Sequence, residues 1–186
     1  MQIQLDSEKT PFDLHHTLSC GQAFRWEKRG DWWFGVVGEK ILMIRQIGAL
    51  LQFRIHPESV KTGILASYFR LSDDLPFIYS EIIKDTYVRE AVEKFRGLRL
   101  LRQEPWECLI SYLCATNKNI PAIKDMINNM CIRIGKKLTF RNEAFFTFPK
   151  PEALAKASVK ELKQCKLGFR AERIKQTAKL IYEDTF

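Results

Sequence analysis

The 186-residue sequence has few cysteines, no long apolar run and only three histidines. Its five cysteines are odd in number and widely spaced, and none forms a Cys-x-x-Cys pair, which argues against a disulfide scaffold and a zinc site. No apolar stretch reaches the roughly 18 residues of a membrane-spanning helix, and the first residues lack the basic and apolar regions of a signal peptide. We therefore expect a reducing compartment, either the cytoplasm or, in a eukaryotic cell, the nucleus.

The motifs of several large enzyme classes are also missing. The sequence has no Gly-x-x-x-x-Gly-Lys-Ser/Thr loop, no Gly-x-Gly-x-x-Gly, no His-Glu-x-x-His and no Gly-x-Ser-x-Gly. His15, His16 and His56 are too few for a histidine-rich metal site. The usual sequence support for a P-loop enzyme, a dinucleotide-dependent enzyme, a zinc protease or a serine hydrolase is therefore lacking.

The net positive charge comes entirely from the second half of the chain. Residues 1–98 carry 13 basic and 13 acidic side chains, whereas residues 99–186 carry 17 basic and 9 acidic ones, which accounts for the whole net charge of +8. Such an asymmetry indicates a half that faces a polyanion, with nucleic acid the leading candidate. Charge by itself is equally compatible with a role in solubility alone.

The hydrophobic patterning predicts an α+β protein, with an antiparallel sheet first and helices after it. Short breaks that contain Gly30, Gly38 and Gly48 separate the β-rich stretches, as antiparallel hairpins require. We place a boundary at Gly97, between a domain of residues 1–98 and a helical domain of residues 99–186. Strands are predicted at residues 22–26, 32–37, 41–45 and 50–55. Helices are predicted at residues 57–69, 75–84, 87–95, 120–134 and 171–182, and Asn119 is expected to cap the fourth of them. Shorter helices are expected to begin at Pro105 and at a Ser158–Glu161 capping box, with a connection at residues 145–151.

Three short stretches combine polar residues or glycine with neighbouring aromatics. Taken singly, each has an ordinary interpretation: the start of a hairpin, a polar turn between helices, and a turn that begins a helix. They are residues 19–26 (SCGQAFRW), 114–119 (CATNKN) and 167–173 (LGFRAER).

Taken together and in this order, the three stretches resemble the 8-oxoguanine DNA glycosylase/AP lyase family of the helix-hairpin-helix glycosylases. Residues 95–109 (FRGLRLLRQEPWECL) also resemble this family's link into its helical domain, so that the resemblance covers nearly the whole chain. It implies a first part with a sheet and helices like half of a TATA-binding-protein fold, followed by the opening part of a helical glycosylase domain. The implied partner is double-stranded DNA that contains oxidised guanine opposite cytosine, and neither a metal nor an organic cofactor is needed.

The resemblance also implies roles for individual residues. Asn117 would fill the space left by a base that has been flipped out of the helix, Phe169 would be the wedge that unstacks the duplex, and Arg170 would bind the orphaned cytosine. The backbone carbonyl at Gly21 would face N7 of the flipped base, which carries hydrogen in 8-oxoguanine and is a bare acceptor in guanine. In the basic second half of the chain, five side chains are candidates for contacts to phosphates: Lys118, Lys124, Arg170, Arg173 and Lys175.

The family's helix-hairpin-helix, its nucleophilic lysine and its assisting aspartate would follow Phe186. We therefore expect the sequence to be the N-terminal part of an enzyme that uses a lysine Schiff base and β-elimination, and we expect this chain to be inactive alone. Two alternatives stay open: a non-catalytic protein that binds damaged DNA, and one subunit of a split glycosylase. Uncovered apolar faces at residues 106–113 and 174–181 would favour self-association.

Overall fold

The computed structural model describes residues 1–58 and 63–184, and it confirms the predicted α+β class. The chain forms two compact units. The first consists of Met1–Phe34 and Leu42–Gln103, and the second of Gly35–Ile41 and Glu104–Phe186. Among the described helices, none combines the length and apolar composition needed to cross a membrane.

A five-stranded sheet in the order β1-β5-β4-β3-β2 has most of its residues in the first unit. The turns between consecutive strands from β2 to β5 are two residues long, and each begins with a glycine at positive φ, as the sequence predicts. The N-terminal strand, which the sequence analysis does not predict, pairs antiparallel with β5 so that Gln2 lies opposite Gln52. The strands are β1 (Gln2–Gln4), β2 (Trp26–Arg29), β3 (Trp32–Val37), β4 (Lys40–Ile47) and β5 (Leu50–His56).

The prediction of a strand at residues 22–26 is wrong, since only Trp26 belongs to a strand. Gly21 has φ +89°, which turns the backbone just before this segment. The side chain of Gln22 is hydrogen-bonded to the backbone of Thr17, Arg99 and Leu101 rather than lying on one face of a sheet. Contacts with residues far along the sequence thus prevail over the local alternation.

In residues 1–58 and 63–103, four helices accompany this sheet: α1 (Leu14–Ser19), α2 (Gly63–Tyr68), α3 (Leu75–Ile82) and α4 (Thr86–Lys94). The first of them is not predicted from the sequence. The predicted start of the helix at residues 57–69 falls partly on residues 59–62, which lie outside the described residues. Asp74 caps α3 by accepting a hydrogen bond from the Phe77 N–H at 3.0 Å.

Apolar side chains of the sheet, of α1, and of α2 and the residue after it supply the core of the first unit. Leu42, Ile44, Phe53 and Phe69 are almost fully buried. Trp26 is also buried in this core, and its indole N–H is not left without a partner, because it donates a hydrogen bond to the Tyr68 hydroxyl at 2.9 Å.

Residues 99–103 group with the first compact unit, and the domain boundary expected after residue 98 stays a prediction. Arg99 is 2% exposed, and its guanidinium donates to backbone carbonyls of Pro11, Arg70 and Asp73. These contacts tie the segment after Gly97 to the first unit. They depend on partners distant in sequence, which composition does not reveal.

The second unit is mainly helical. The caps predicted at Asn119 and at the Ser158–Glu161 capping box are both confirmed. A two-stranded hairpin at residues 137–146 is not predicted, and it takes in the first residues of the expected connection at 145–151. The elements are α5 (Pro105–Ala115), α6 (Ile120–Ile134), β6 (Lys137–Phe140), β7 (Glu143–Phe146), α7 (Pro151–Lys156), α8 (Val159–Gln164) and α9 (Arg170–Tyr182).

The apolar faces of α5 and α9 are largely packed within this unit. Ile110 and Ile174 are fully buried, and the Trp106 indole N–H donates to the Pro149 carbonyl at 2.8 Å. Tyr112 on α5 and Leu180 on α9 remain substantially exposed. The expectation that these faces are uncovered therefore holds only in part, and self-association stays a prediction.

Candidate nucleic-acid interface

Five of the predicted site residues lie in the second unit, on two turns, and Gly21 lies in the first. The first turn connects α5 to α6 and carries Asn117 and Lys118. The second turn leads into α9 and carries Phe169, which is followed by Arg170 and, one helical turn further on, by Arg173.

The α5–α6 turn holds Asn117 in an exposed position. Its φ of +52° is in the left-handed region, which asparagine tolerates better than most residues. On either side the backbone is fixed, because the Lys118 N–H donates to the Ala115 carbonyl at 3.1 Å and Asn119 caps α6 by accepting from the Ala122 N–H at 3.0 Å. The side chains of Asn117 and Lys118 are thus presented to solvent by an ordered turn.

The turn into α9 exposes a large aromatic ring. Phe169 is 59% exposed, although Leu167, two residues before it, is fully buried. Gly168 has φ +57°, and the Arg170 N–H donates to the Leu167 carbonyl at 3.1 Å, so that the chain reverses tightly here. Burial of Leu167 anchors the turn, and the ring of Phe169 projects from it.

Arg170 joins the two turns. Its side chain is 3% exposed, and its Nη2 donates a hydrogen bond to the carbonyl of Thr116, the residue before Asn117. The guanidinium carbon also lies 4.3 Å from the centroid of the Phe169 ring. The structure therefore brings Asn117, Phe169 and Arg170 into one cluster, and it gives Arg170 an intramolecular contact that the sequence analysis does not predict.

The thiol of Cys114 lies close enough to Arg170 to interact with it electrostatically. Burial raises the pKa of Cys114 to about 12, and the positive charge of Arg170 opposes that rise only in part. The thiol is therefore neutral at physiological pH. The charge in this cluster belongs to the guanidinium.

The predicted phosphate-binding residues differ in their surroundings. Arg173 is exposed, with its guanidinium carbon 5.7 Å from the centroid of the Phe169 ring, and Lys118 is also exposed. Lys124 is half-buried, and the Lys175 ammonium donates to the Ala157 carbonyl. Lys118 and Arg173 are therefore the candidates best placed to reach an external anion.

Gly21 lies in a bend between α1 and β2 and is half-buried. Its φ of +89° is one that residues with a Cβ rarely adopt. The residue after it, Gln22, makes four hydrogen bonds, three from its side-chain amide and one at its own carbonyl, which accepts from Gln103 Nε2 at 2.7 Å. Sequence reasoning identifies Gly21 but misses Gln22, because its partners at residues 99–103 are nearly eighty residues away.

The described residues contain no group of three or more His, Cys, Asp or Glu side chains that could hold a metal ion. The thiols of Cys20 and Cys108 are exposed and form no disulfide in the described chain. The residues of the two turns offer hydrogen bonding, aromatic stacking and positive charge.

Comparison with known proteins identifies the class. The N-glycosylase/DNA lyase of Saccharomyces cerevisiae is 30% identical over 198 residues, a match that covers 97% of this chain and 52% of that protein. The N-glycosylase/DNA lyase OGG1 of Arabidopsis thaliana is 30% identical, with 90% of this chain and 48% of that protein covered. The 8-oxoguanine glycosylase/lyase of Clostridium acetobutylicum, solved with double-stranded DNA containing cytosine opposite 8-oxoguanine, matches with a TM-score of 0.87 at 31% identity, covering 94% of this chain and 61% of that one.

The fold is thus one that DNA glycosylases share. The model of the 8-oxoguanine DNA glycosylase N-terminal domain matches residues 4–109, more than half of the sequence. The chain belongs to the 8-oxoguanine DNA glycosylase family. It spans about half the length of the curated relatives it matches.

Proposed function

We propose that this chain recognises 8-oxoguanine opposite cytosine in double-stranded DNA, as the damage-binding part of a base-excision repair glycosylase and AP lyase. The observation that carries the proposal is the cluster in the second unit, in which the exposed Asn117 and Phe169 are joined through the buried Arg170. Membership of the family indicates that the lesion is 8-oxoguanine, and the cluster contains the side chains proposed to open the duplex.

Opening the duplex is necessary because the glycosidic bond cannot be reached inside the base stack, and flipping a base costs a few kcal/mol. Phe169 provides an exposed apolar ring of the kind that enters a base step and unstacks it. Asn117 provides a short amide whose donor and acceptor suit the polar edge that the flipped base leaves unpaired. Both groups offset the cost of flipping, and the ordered turns that carry them reduce the entropy lost on binding.

Arg170 is proposed to bind the orphaned cytosine, and its surroundings define how. The guanidinium donates to the Thr116 carbonyl through Nη2, and its remaining N–H donors suit the acceptors of a cytosine. Because the side chain begins at the start of α9 and is 3% exposed, a cytosine reaches it only if the base enters the cluster or the side chain rotates outward.

Lesion selectivity is proposed to come from the Gly21 carbonyl. Facing N7, it would accept a hydrogen bond from 8-oxoguanine and would repel the lone pair of guanine at the same place. One hydrogen bond gained against one repulsion is worth on the order of 1–3 kcal/mol. The positive φ of Gly21 supports this role, since glycine allows the backbone to approach a ligand without a Cβ in the way.

Sequence-independent affinity is proposed to come from Lys118 and Arg173. Lys118 lies on the α5–α6 turn, Arg173 lies in α9 three residues after Arg170, and both are exposed. Contacts of this type hold the protein on the phosphate backbone and are weakened by salt.

The catalytic step of the family, attack by a lysine on the damaged nucleotide with β-elimination afterwards, is not assigned to any lysine of this sequence. A Schiff-base lysine is typically activated by desolvation or by a neighbouring cation. Three lysines on α9 or just before it have other partners: Lys166 pairs with Asp125 at 2.9 Å, Lys175 donates to Ala157, and Lys179 pairs with Glu183 at 3.7 Å. We therefore propose that the 186-residue polypeptide binds the lesion without cleaving the strand.

The compartment is proposed to be reducing, either the cytoplasm or, in a eukaryotic cell, the nucleus. The exposed thiols of Cys20 and Cys108 support this proposal, because an oxidising compartment would leave them open to cross-linking.

A competition experiment tests the proposed function. A labelled duplex with 8-oxoguanine opposite cytosine is bound to the 186-residue chain at a fixed salt concentration and displaced by the same duplex with or without the lesion. We expect the lesion duplex to compete better, whereas equal competition would contradict lesion recognition. Borohydride added in parallel is expected to trap no covalent adduct, and a trapped adduct would show that the chain supplies its own nucleophile.

A further inference from the structure

We propose that Gln22 is the positioning residue that sets the direction of the Gly21 carbonyl, and that selectivity for the oxidised base depends on its side-chain amide. This inference rests on the proposed function. It concerns a residue that touches no base, and whose role is to hold the peptide group that does.

The side-chain amide of Gln22 is held at both of its ends. Nε2 donates to the Thr17 carbonyl at 2.9 Å and to the Arg99 carbonyl at 2.8 Å, while Oε1 accepts from the Leu101 N–H at 2.9 Å. Two carbonyls face the nitrogen and one N–H faces the oxygen, so the opposite orientation of the amide would place acceptors against an acceptor. The side chain therefore has one orientation only.

The backbone of Gln22 is held as well. Its carbonyl accepts from Gln103 Nε2 at 2.7 Å, on the far side of the residue from Gly21. The Gly21 carbonyl and the Gln22 N–H belong to one planar peptide group. With the side chain and the carbonyl of Gln22 both fixed, the direction of that peptide group is restricted at its Gln22 end.

The partners of Gln22 are themselves rigid. Besides its guanidinium contacts, Arg99 donates its backbone N–H to the Thr17 hydroxyl at 3.2 Å, so that Thr17 and Arg99 bind each other as well as Gln22. The guanidinium of Arg99 is buried so deeply that burial lowers its pKa from the ordinary value. Gln22 is thus bound to a platform made of the end of α1 and residues 99–103, all within the first unit.

This arrangement predicts which DNA affinity changes when the Gln22 amide is removed. Loss of the amide frees the peptide group at Gly21 to rotate, which affects the one contact that distinguishes 8-oxoguanine from guanine. Affinity for undamaged duplex, which depends on the second unit's phosphate contacts, is left unchanged. A residue that only supported the fold would lower both affinities in proportion.

The chain offers a matched control in Gln46, another half-buried glutamine of the first unit. Its Oε1 accepts from the Leu14 N–H at 2.7 Å, and its Nε2 donates to the carbonyls of Phe12 at 2.8 Å and Gly48 at 2.9 Å. Gln46 therefore makes the same two donated and one accepted hydrogen bonds as Gln22, at the opposite end of α1.

The experiment compares Gln22→Met and Gln46→Met in the full 186-residue chain, since methionine keeps the length of the side chain and removes its hydrogen bonds. Dissociation constants are measured for duplexes that contain 8-oxoguanine or guanine opposite cytosine, and thermal unfolding is followed for each variant. We expect both variants to unfold at lower temperature by a similar amount. The preference for the lesion falls by about tenfold in Gln22→Met, the scale of one hydrogen bond, and stays within about twofold of the unmutated chain in Gln46→Met.

A second variant covers the case in which Gln22→Met does not fold. Gln103→Leu removes only the hydrogen bond onto the Gln22 carbonyl and is expected to lower the lesion preference by a smaller factor. Amide hydrogen exchange at Leu101, whose N–H is bound to Gln22 Oε1, should be faster in Gln22→Met independently of any DNA.

The proposal is overturned if Gln22→Met and Gln46→Met change the preference equally, or if Gln103→Leu leaves it unchanged. If the unmutated chain binds the 8-oxoguanine and guanine duplexes equally, the proposed function itself is wrong, and the positioning role of Gln22 is wrong with it. Unchanged exchange at Leu101 in Gln22→Met would remove the structural basis directly.

Discussion

The guanidinium of Arg170 is hydrogen-bonded to the carbonyl of Thr116, and through this contact the turn that carries Asn117 is tied to the first turn of α9. The two segments are more than fifty residues apart in the sequence. A buried side chain next to an exposed aromatic ring therefore connects the two groups proposed to separate the DNA strands.

Arg170→Ala is expected to lower the free energy of unfolding by about 1–3 kcal/mol, because the Thr116 carbonyl loses its donor and the long side chain leaves a void. Urea unfolding measures this loss. Arg173→Ala is the matched control: this exposed arginine lies over the same ring, and its removal should change stability by less than about 0.5 kcal/mol. In DNA titrations at several salt concentrations, Arg173→Ala should instead reduce, by about 1, the steepness with which the logarithm of the binding constant falls with the logarithm of the salt concentration. Equal stability losses in the two variants would contradict the account of Arg170.

Phe169→Ala is expected to weaken binding to the lesion duplex by about 1–3 kcal/mol, the range for stacking a base on an aromatic side chain. Because the ring is largely exposed, the free energy of unfolding should fall by no more than about 1 kcal/mol, the scale of its exposed cation–π contacts. Fluorescence anisotropy titrations and urea unfolding give the two quantities. Phe169→Tyr should bind like the unmutated chain, and Ile132→Ala, at another exposed apolar side chain of the second unit, should not affect binding. Unchanged binding by Phe169→Ala would exclude the wedge.

Gly21→Ala is expected to destabilise the fold by about 1–2 kcal/mol, because alanine is strained in a left-handed conformation, and also to reduce the preference for 8-oxoguanine. Gly30→Ala provides the comparison, since Gly30 has φ +58° in a hairpin turn and a Cβ there meets nothing within 4 Å. Gly30→Ala should lose a similar amount of stability and keep the preference for 8-oxoguanine over guanine. If both glycine variants keep the preference of the unmutated chain, Gly21 has no part in selectivity.

The stability of the second unit should fall in alkali because of Cys114. Its pKa is raised by burial from an ordinary value of 9.0 to about 12 in the fold. The unfolded thiol therefore loses its proton at a lower pH than the folded one, so that the stabilisation is complete below pH 9 and is lost as the pH rises from 9 toward 12. Urea unfolding at about pH 8 and about pH 10.5 measures the fall, which should be smaller in Cys114→Ala. Cys108→Ala, which removes an exposed thiol, should lose as much free energy of unfolding between the two pH values as the unmutated chain. An equally large loss in Cys114→Ala would contradict this explanation.

Local signals in the sequence were sufficient for most of the elements. Asn119 and the Ser158–Glu161 pair act on N–H groups within three residues of themselves, and the hairpin glycines act on their own φ angles, so that these features are visible in a short window. The β6–β7 hairpin was not predicted, because Lys137, Arg141 and Glu143 interrupt the apolar pattern. Strand β1 owes its conformation to pairing with β5, some fifty residues away.

The same distinction applies to the candidate site. Gly21, Asn117, Phe169 and Arg170 are predicted from short stretches that resemble those of a family. The contacts around them are not predicted, because they are long-range: Gln22 reaches residues 99–103, and Arg170 reaches Thr116. The sequence thus predicts which groups face a ligand, whereas the fold shows which contacts those groups and their neighbours make.

The central claim, that the Gly21 carbonyl distinguishes the two bases at N7, is tested most directly by three duplexes that differ in one atom or two. The target base is 8-oxoguanine, 7-deazaguanine or guanine, each opposite cytosine. 7-Deazaguanine has C–H in place of N7, which removes the repulsion of guanine without supplying the N–H donor of 8-oxoguanine. The predicted order of affinity is 8-oxoguanine, then 7-deazaguanine, then guanine, with about 1–3 kcal/mol between the first and the last. Equal affinities for all three duplexes would contradict the claim.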